Sequence, residues 1–220
     1  MVQKKSKVKA VVCLPTYNEK ESISEMIKRM KKLKIPFFLS DQGSKDGTRE
    51  IAKKNKVEVY DRGGYGKGWG VRKAVEVAKQ KKYDVVVLID CDCSYPPEYI
   101  PQLLKLMPRY DMVMGVRNFK DIGFLHRLGN FVHTGLINLL YNARLKDINT
   151  GLRAFKIKKL QDLGAEGFDI EAEITCKALK RGFKIKEIPI HYHVRKGESK
   201  IRLKDGWIIL KRIIKEFFAK

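Results

Sequence analysis

The residues whose types and spacing best indicate chemistry are two aspartates, Asp90 and Asp92, which follow the apolar run Val85-Val86-Val87-Leu88-Ile89. A buried strand that ends in this pattern brings two like charges close together, which costs free energy unless a cation neutralises them. If the extended geometry continues, both side chains reach the same side of the strand. Hard divalent cations take oxygen ligands, commonly one or two carboxylates together with substrate phosphates. The pattern therefore predicts a divalent-cation site, and the alternative is a pair of solvated loop aspartates.

The length and composition are those of one globular domain. The chain has 220 residues, of which 44% are hydrophobic, with no internal repeat and no long low-complexity tract. We therefore expect a single domain over residues 1–220 with a substantial core. The basic segment 1–7 lacks the apolar core of a secretion signal. No stretch approaches the roughly 20 apolar residues that cross a bilayer, so we expect no transmembrane span.

The formal net charge of +22 predicts attraction to polyanions, which include nucleic acids, anionic lipid headgroups and phosphorylated substrates. The alternative is that the charged residues, 33% of the chain and rich in Lys, solvate the surface of a heat-stable protein. Charge alone does not decide between these partners.

Four cysteines lack any paired C-x-x-C spacing: Cys13, Cys91, Cys93 and Cys176. We expect them to be reduced, in a protein of the reducing cytoplasm. Because Cys91 and Cys93 flank Asp92, a soft-metal site is an alternative, although no second ligand cluster supports it.

Strand and helix patterns alternate through the first half of the chain. Short apolar runs predict strands at residues 9–14, 37–40, 57–60, 84–89 and 111–116, with helices between them. Strands separated by helices indicate an α/β fold with a mainly parallel central sheet flanked by helices. In such sheets ligands bind at the carboxyl ends of the strands, where Asp41, Asp61 and Asp90 are expected. The less regular second half predicts helices at 125–141, 169–181 and 207–218 and a strand at 185–191.

The glycine-rich stretch 63–70 does not support a dinucleotide site. It contains no G-x-G-x-x-G and follows the third strand pattern, whereas that fingerprint belongs after the first. The chain also lacks the G-x-x-x-x-G-K-[ST] loop of P-loop NTPases. Both observations argue against an NAD enzyme and against a P-loop NTPase.

Seven motifs together resemble one known family. In chain order they are residues 12–19 (Val-Cys-Leu-Pro-Thr-Tyr-Asn-Glu), residues 41–48 (Asp-Gln-Gly-Ser-Lys-Asp-Gly-Thr), Gly66-Lys67-Gly68, Asp90-Cys91-Asp92, Gly115-Val116-Arg117, residues 149–155 (Asn-Thr-Gly-Leu-Arg-Ala-Phe) and Arg195-x-Gly197-x-Ser199-Lys200. The first four resemble family 2 glycosyltransferases of the GT-A fold. The last three resemble the polyprenyl-phosphate branch, which includes dolichyl-phosphate mannose synthase. The resemblance implies a nucleotide-sugar-binding half at about residues 1–117 and an acceptor-binding half at about 118–220.

The resemblance also implies roles in binding the sugar donor. Contacts to the nucleotide sugar fall to Pro15, Tyr17, Glu19, Asp41, Lys67, Asp90, Cys91 and Asp92. Within this set, Asp90 and Asp92 would hold Mg²⁺ or Mn²⁺ on the donor diphosphate. Mannose synthases of this branch carry Gln where Ser94 stands, so Ser94 is a weaker candidate for a third ligand. Gln42 replaces the second acid of the usual Asp-Asp-Gly-Ser motif.

Four arginines and one lysine at motif positions are candidates for binding the acceptor phosphate. A guanidinium makes planar bidentate contacts with phosphate. This set comprises Arg117, Arg127, Arg153, Arg195 and Lys200, and the alternative for each is a salt bridge to a neighbouring acid. We expect the catalytic group to be Asp92, Arg117, Arg195 and Lys200.

Glu171 and Glu173 mark a mechanistic alternative. Family members that glycosylate sugar hydroxyls place an acidic general base near this position, whereas a lipid phosphate is already an anion and needs no base. The two acids could instead stabilise a helix N-terminus. The Gln-x-x-Arg-Trp element of processive synthases is absent from the sequence, which argues against chain extension.

The segments 125–141 and 207–218 have apolar stripes with basic neighbours. This pattern is typical of a helix in a membrane interface, of a core-facing helix and of a helix at a dimer contact.

The sequence hypothesis is a peripheral enzyme of the cytoplasmic membrane face. It would transfer a hexose, with inversion and non-processively, from UDP-GlcNAc, UDP-Glc or GDP-Man to dolichyl or polyprenyl phosphate at an anionic membrane surface. A basic nucleic-acid-binding protein is a remote alternative, since no nucleic-acid motif is present, and the oligomeric state stays open.

Overall fold

Strands and helices alternate in the computed structural model of the chain, which describes residues 8–160 and 162–219. The strands are β1 (Ala10–Thr16), β2 (Phe37–Asp41), β3 (Glu58–Asp61), β4 (Val85–Leu88), β5 (Met112–Arg117), β6 (Arg153–Lys156) and β7 (Ile185–Ile190). The helices are α1 (Lys20–Leu33), α2 (Thr48–Lys54), α3 (Lys67–Gln80), α4 (Ile100–Leu106), α5 (Phe124–Tyr141), α6 (Ile170–Lys180) and α7 (Leu203–Phe218). The basic segment 1–7 lies outside the described residues.

The seven strands form one sheet in the order β3-β2-β1-β4-β6-β5-β7. Every neighbouring pair is parallel except those of β6, which runs antiparallel to β4 and to β5. The predicted α/β class with a mainly parallel sheet is therefore confirmed. The strand order reverses direction at β1, and ligands of such sheets bind at the carboxyl ends beside this reversal.

Strand β6 is the element that the sequence did not predict. It has only four residues, and its pairing places Arg153 opposite both Leu88 of β4 and Met114 of β5. Because β6 is antiparallel, the segment that precedes it meets the carboxyl ends of β4 and β5. The polar motif at residues 147–152 is thereby brought to the same edge as Asp90.

Apolar side chains cover both faces of the sheet, as expected when helices flank a mainly parallel sheet. Val85 and Val87 of β4 belong to the core on one face, and Val86 and Leu88 belong to the core on the other. A third, smaller core includes Ile137, Cys176 and Ile213 and joins α5, α6 and α7. Among the described residues, no helix combines the length and the apolar character that a membrane crossing requires.

Two element boundaries near the site differ from the expectation. Strand β4 ends at Leu88, one residue before the predicted end, and residues 91–95 form bends, so the condition that strand geometry continues through Asp90 and Asp92 is not met. The sequence pattern predicts a helix at 70–81, and helix α3 begins three residues earlier, at Lys67. Its Gly68 lies against the backbone of segment 165–166 and donates its amide hydrogen to the Glu166 carbonyl at 2.8 Å.

Replacing Gly68 by Ala should destabilise the protein by about 3 kcal/mol through overpacking. An added Cβ would lie 2.1 Å from the Ala165 carbonyl oxygen, and backbone on both sides leaves little room to yield. Thermal or urea unfolding measures the change. Gly135→Ala is the matched helical control, because nothing lies within 4 Å of its added Cβ and its stability should stay the same or rise slightly. Equal stability of the two variants would contradict the close packing at Gly68.

Candidate active site

Asp90 lies between a lysine and a glycine at the carboxyl edge of the sheet. The Lys67 ammonium is 2.6 Å from Asp90 Oδ1 and also 2.6 Å from Glu171 Oε1. Burial alone would lower the pKa of Lys67, but the two carboxylates outweigh burial and raise that pKa, so the lysine is charged. On the other side, a Cβ at Gly151 would lie 2.2 Å from Asp90 Oδ2, so a larger residue here would displace this carboxylate.

Asp92 is more deeply buried and is held by its own turn. Its Oδ1 accepts hydrogen bonds from the backbone amide and the hydroxyl of Ser94. Its Oδ2 is 3.6 Å from a guanidinium nitrogen of Arg195. Ser94 has no exposed surface, and its hydroxyl is engaged with Asp92, so it acts on the carboxylate rather than as an open third ligand.

By their chemistry, the carboxylate oxygens of Asp90 and Asp92 fit a hard divalent cation. Within the described part of the chain, no group of three or more His, Cys, Asp or Glu side chains could enclose a metal by itself. Two carboxylates with the remaining ligands supplied by substrate phosphate and water is the usual arrangement for Mg²⁺. Cys91 and Cys93 are buried, and burial raises the pKa of both thiols, that of Cys93 to about 11. Neutral thiols of this kind do not support the soft-metal alternative.

The expected nucleoside-binding residues surround the ends of β1 and β2. Pro15 and Tyr17 are half-buried, whereas Asp41 has no exposed surface. Asp41 Oδ1 accepts the amide hydrogens of Gly43 and Ser44 at 2.9 Å, so this carboxylate shapes the turn between β2 and α2. The side chain of Cys91 packs in the core, which leaves only its backbone for a donor contact.

The segment after β7 returns over the site. The backbone amide of His193 donates to the Ser94 carbonyl at 2.9 Å, and that of Lys196 donates to the Asp92 carbonyl at 2.8 Å. Farther along, the Lys200 ammonium lies 2.5 Å from Glu19 Oε1. Burial raises the pKa of Glu19, and the hydrogen bond from Lys200 partly offsets that rise. Arg195 and Lys200 therefore both lie beside the acids of the predicted donor site.

Comparison with known proteins decides the family. Residues 11–163 match the family model described as glycosyl transferase family 2, which is more than half of the chain. The chain is a family 2 glycosyltransferase.

Relatives of this glycosyltransferase carry names from the polyprenyl-phosphate branch. A dolichyl-phosphate hexose transferase from Haloferax volcanii is 34% identical over 86% of the chain and 85% of the relative. An undecaprenyl-phosphate mannosyltransferase from Micrococcus luteus is 28% identical over 88% of each chain. A dolichol-phosphate mannosyltransferase from Pyrococcus furiosus is 30% identical over 94% of the chain and 63% of the relative. The predicted resemblance to this branch and the predicted hexosyltransferase activity are confirmed.

Solved structures show the fold. Glucosyl-3-phosphoglycerate synthase from Mycobacterium tuberculosis, in complex with Mn²⁺ and UDP-glucose, superposes with a TM-score of 0.80 at 20% identity. The alignment covers 98% of this glycosyltransferase and 81% of that chain. The GT-A fold that the motifs predicted is therefore confirmed.

The other predicted acceptor-binding arginines lie in different environments. Arg117 makes a bidentate salt bridge to Asp147, at 2.7 and 2.8 Å, and lies over the ring of Tyr192. Arg127 is on the exposed face of α5, over the ring of Phe124. The glycosyltransferase thus holds Arg117 at the site edge by an ion pair and places Arg127 on an outer surface.

Arg153 is fully buried, which argues against the predicted contact to an acceptor phosphate. Its guanidinium donates to the carbonyls of Ile148, Thr150 and Glu171, with a further contact to the Thr175 hydroxyl. These bonds join the site segment before β6 to helix α6. The sequence signal, an arginine in a motif, did not distinguish a ligand contact from this structural role.

Glu171 and Glu173 also have partners within the protein. Glu173 accepts the amide hydrogens of Gly164 and Ala165 and lies 2.8 Å from the Lys177 ammonium, so it is a structural acid at 1% exposure. Glu171 reaches the site but is paired with Lys67. A general base must be free to accept a proton, and neither acid is free in this arrangement.

Several residues of the site were not singled out from sequence. Asp147 holds Arg117, and the Tyr95 hydroxyl accepts the amide hydrogen of Gly151 at 2.8 Å. Arg62 is buried beside Gln42, whose side-chain oxygen also accepts the Gly66 amide hydrogen. Burial lowers the pKa of Arg62 to about 10, with the charge of Asp41 opposing the shift. The sequence signal that could have identified Arg62 is its position just after the third strand.

Replacing Arg153 by Met should lower the stability by about 3 kcal/mol, because buried carbonyl groups lose their donors. Unfolding by urea and steady-state kinetics measure the two relevant quantities. The acceptor KM of the folded fraction should stay close to that of the wild type. Arg109→Met, at an exposed position, should change neither quantity. A raised KM at unchanged stability would instead identify Arg153 as a phosphate ligand.

Proposed function

We propose that the glycosyltransferase transfers one hexose from a nucleotide diphosphate sugar to a polyprenyl phosphate such as dolichyl phosphate, with a divalent cation and with inversion. The names of the relatives support this acceptor class, and the UDP-glucose complex of the structural neighbour supports a nucleotide-sugar donor. The observation that carries the proposal is the position of Arg195 and Lys200 beside Asp92 and Glu19. Among the described residues, Glu171, the acid that could serve as a base here, is paired with Lys67.

Each group of the site has a place in this reaction. Asp90 and Asp92 would hold Mg²⁺ or Mn²⁺, and the cation supplies charge neutralisation for the departing diphosphate. Arg195 and Lys200 orient the acceptor phosphate for attack from the face opposite the leaving group, which inverts the anomeric centre. The new bond joins a phosphate oxygen to the anomeric carbon as the bond to the diphosphate breaks. A phosphate monoester is already an anion at neutral pH, so no proton needs to be removed.

Arg195 is suited to exchange its partner for a phosphate. It lies 3.6 Å from Asp92 and 3.9 Å from Glu19, longer than a close charge-assisted hydrogen bond, and its side chain is 27% exposed. Its buried Nε has no hydrogen-bond partner in the described structure. By contrast, Arg117 donates from Nε and Nη2 to Asp147, so we assign it to positioning the segment before β6 rather than to first contact with the acceptor.

Helix α5 suits an enzyme that reaches its acceptor at a lipid surface. Its exposed side is apolar, with Phe124, Leu125, Leu128, Phe131, Val132 and Leu139 all more than 40% exposed. Its buried side carries the polar residues Asn130, His133 and Thr134 as well as the core residue Ile137. Exposed apolar surfaces of this kind mark interaction sites.

Helix α7 also exposes apolar side chains. Leu203, Trp207, Ile208, Ile214 and Phe218 are exposed along it, with exposed Lys204 and Lys211 among them. The two helices pack together, since His133 Nε2 donates to the Gly206 carbonyl at 3.1 Å and the rings of Tyr141 and Phe217 are 5.6 Å apart. Apolar side chains with basic neighbours favour binding to an anionic bilayer surface at the cytoplasmic face.

Transfer to a lipid phosphate is tested by incubating the protein with dolichyl or undecaprenyl phosphate, Mg²⁺ or Mn²⁺, and labelled UDP-Glc, UDP-GlcNAc or GDP-Man. Label in the organic phase identifies the donor and the acceptor together. Asp92→Asn should reduce the rate at least about 100-fold with an unchanged unfolding transition. Asp121→Asn, at an exposed position on the chain, is the control and should keep full activity.

Transfer only to free sugar hydroxyls, with no labelled lipid from any donor, would contradict the proposed acceptor. It would favour a hydroxyl-glycosylating enzyme that uses Glu171 as its base. Full activity of Asp92→Asn would remove the cation-site assignment.

The membrane surface is tested by co-sedimentation with vesicles of phosphatidylglycerol and phosphatidylcholine. The double variant Leu128→Glu with Phe131→Glu should lower binding at least about fivefold, because it places charge on the apolar face of α5. Gln80→Glu with Gln102→Glu makes the same change in net charge at exposed positions of α3 and α4. Equal losses in the two double variants would show that net charge, and not the apolar face, governs vesicle binding.

A further inference from the structure

Lys67 places a positive charge against one of the proposed cation ligands. Its ammonium lies at equal distances, 2.6 Å, from Asp90 and Glu171, and its side chain is only 14% exposed. Asp90 is one of the two proposed cation ligands, whereas Glu171 comes from the first turn of α6. One internal positive charge therefore neutralises a carboxylate that is also a proposed cation ligand.

The position of Lys67 is fixed by its backbone. It is the first residue of α3, with Gly66 and Gly68 on either side of it. A Cβ on Gly66 would lie 2.3 Å from the Glu166 carbonyl oxygen, and one on Gly68 would lie 2.1 Å from that of Ala165. Both glycines are thus in close contact with segment 165–166, so the lysine can leave Asp90 only by moving its side chain.

We propose that Lys67 is a resident counter-ion that makes cation binding and nucleotide binding depend on each other, an inference that rests on the cation site of the proposed function. Without nucleotide, the ammonium competes with a divalent cation for Asp90 and repels it. A nucleoside diphosphate brings negative charge that both the cation and the ammonium can neutralise. The nucleotide therefore raises the affinity for the cation, and by linkage the cation raises the affinity for the nucleotide equally.

Glu171 has the opposite effect on the affinity for the cation. Its carboxylate attracts Lys67 away from Asp90 and adds a negative charge near the cation. Removing the Lys67 charge should therefore strengthen binding of a divalent cation alone, and removing the Glu171 charge should weaken it. If Lys67, Asp90 and Glu171 had a purely structural role, removing the Lys67 charge and removing the Glu171 charge would not shift the cation affinity in opposite directions.

Titration of the purified protein with Mn²⁺, followed by the paramagnetic resonance signal of free Mn²⁺, tests the proposal without sugar or lipid. Lys67→Met should bind Mn²⁺ at least about fivefold more tightly than the wild type, and Glu171→Gln should bind it at least about threefold more weakly. UDP and GDP, in separate titrations, should strengthen Mn²⁺ binding less in Lys67→Met than in the wild type. Lys73→Met is the control, because Lys73 lies on the same helix and pairs with Glu76.

Unchanged or weaker Mn²⁺ binding by Lys67→Met would overturn the proposal. If that variant does not fold, the double variant Lys67→Met with Glu171→Gln keeps the net charge and decides instead. Tighter binding by the double variant than by Glu171→Gln alone supports the proposal, and equal binding overturns it. If the wild-type protein transfers no sugar to lipid phosphate while the variants show these shifts in Mn²⁺ affinity, only the proposed acceptor is contradicted. The two hypotheses therefore fail separately.

Discussion

One reversed strand determines the geometry of the site. In a wholly parallel sheet, the segment before β6 would lie at the opposite edge from Asp90. Because β6 runs antiparallel between β4 and β5, that segment instead reaches the carboxyl ends of its neighbours. Gly151 then contacts Asp90, Asp147 holds Arg117, and buried Arg153 secures the segment through the carbonyls of Ile148 and Thr150. Arginine suits this role, because its five donors satisfy several buried carbonyls at once.

The site itself is a balanced set of opposite charges in a strongly basic protein. Asp90 is paired with Lys67, Asp92 lies near Arg195, and Glu19 is paired with Lys200. Unpaired carboxylates would cost free energy at this degree of burial. Unpaired cations would bind anions without selectivity. A ligand that brings both negative phosphates and a divalent cation can exchange with both halves of these pairs. The net charge of +22 adds long-range attraction for such anions but does not provide the selectivity.

The parts of the fold that depend on local pattern were predictable from the sequence. The apolar run of β4 and the amphipathic helices follow directly from periodicity, and their boundaries agree within a few residues. Strand β6 was missed because it has four residues, two of them charged, and is defined by its partners rather than by its own pattern. The same limitation applies to Arg153, whose motif position indicated a ligand contact although its burial results from packing between distant segments. Lys67 was placed at the donor site, but its pairing with Glu171 depends on α6, more than 100 positions away in the sequence.

Helix α5 connects this charge-balanced site to the outer surface. Its buried polar side chains hold the segment before β6: Thr134 accepts the Ile148 amide hydrogen, and Asn138 bonds to both backbone groups of Leu145. His133 contacts both Asn149 and the Gly206 carbonyl of α7. These bonds need polar residues on the inner side of α5, where Ile137 adds an apolar contact, while Phe124, Leu128 and Phe131 face outward. The helix that holds the segment before β6 therefore also carries an exposed apolar surface. A proposed acceptor in a bilayer would require this arrangement, in which one helix joins the site to the surface that meets lipid.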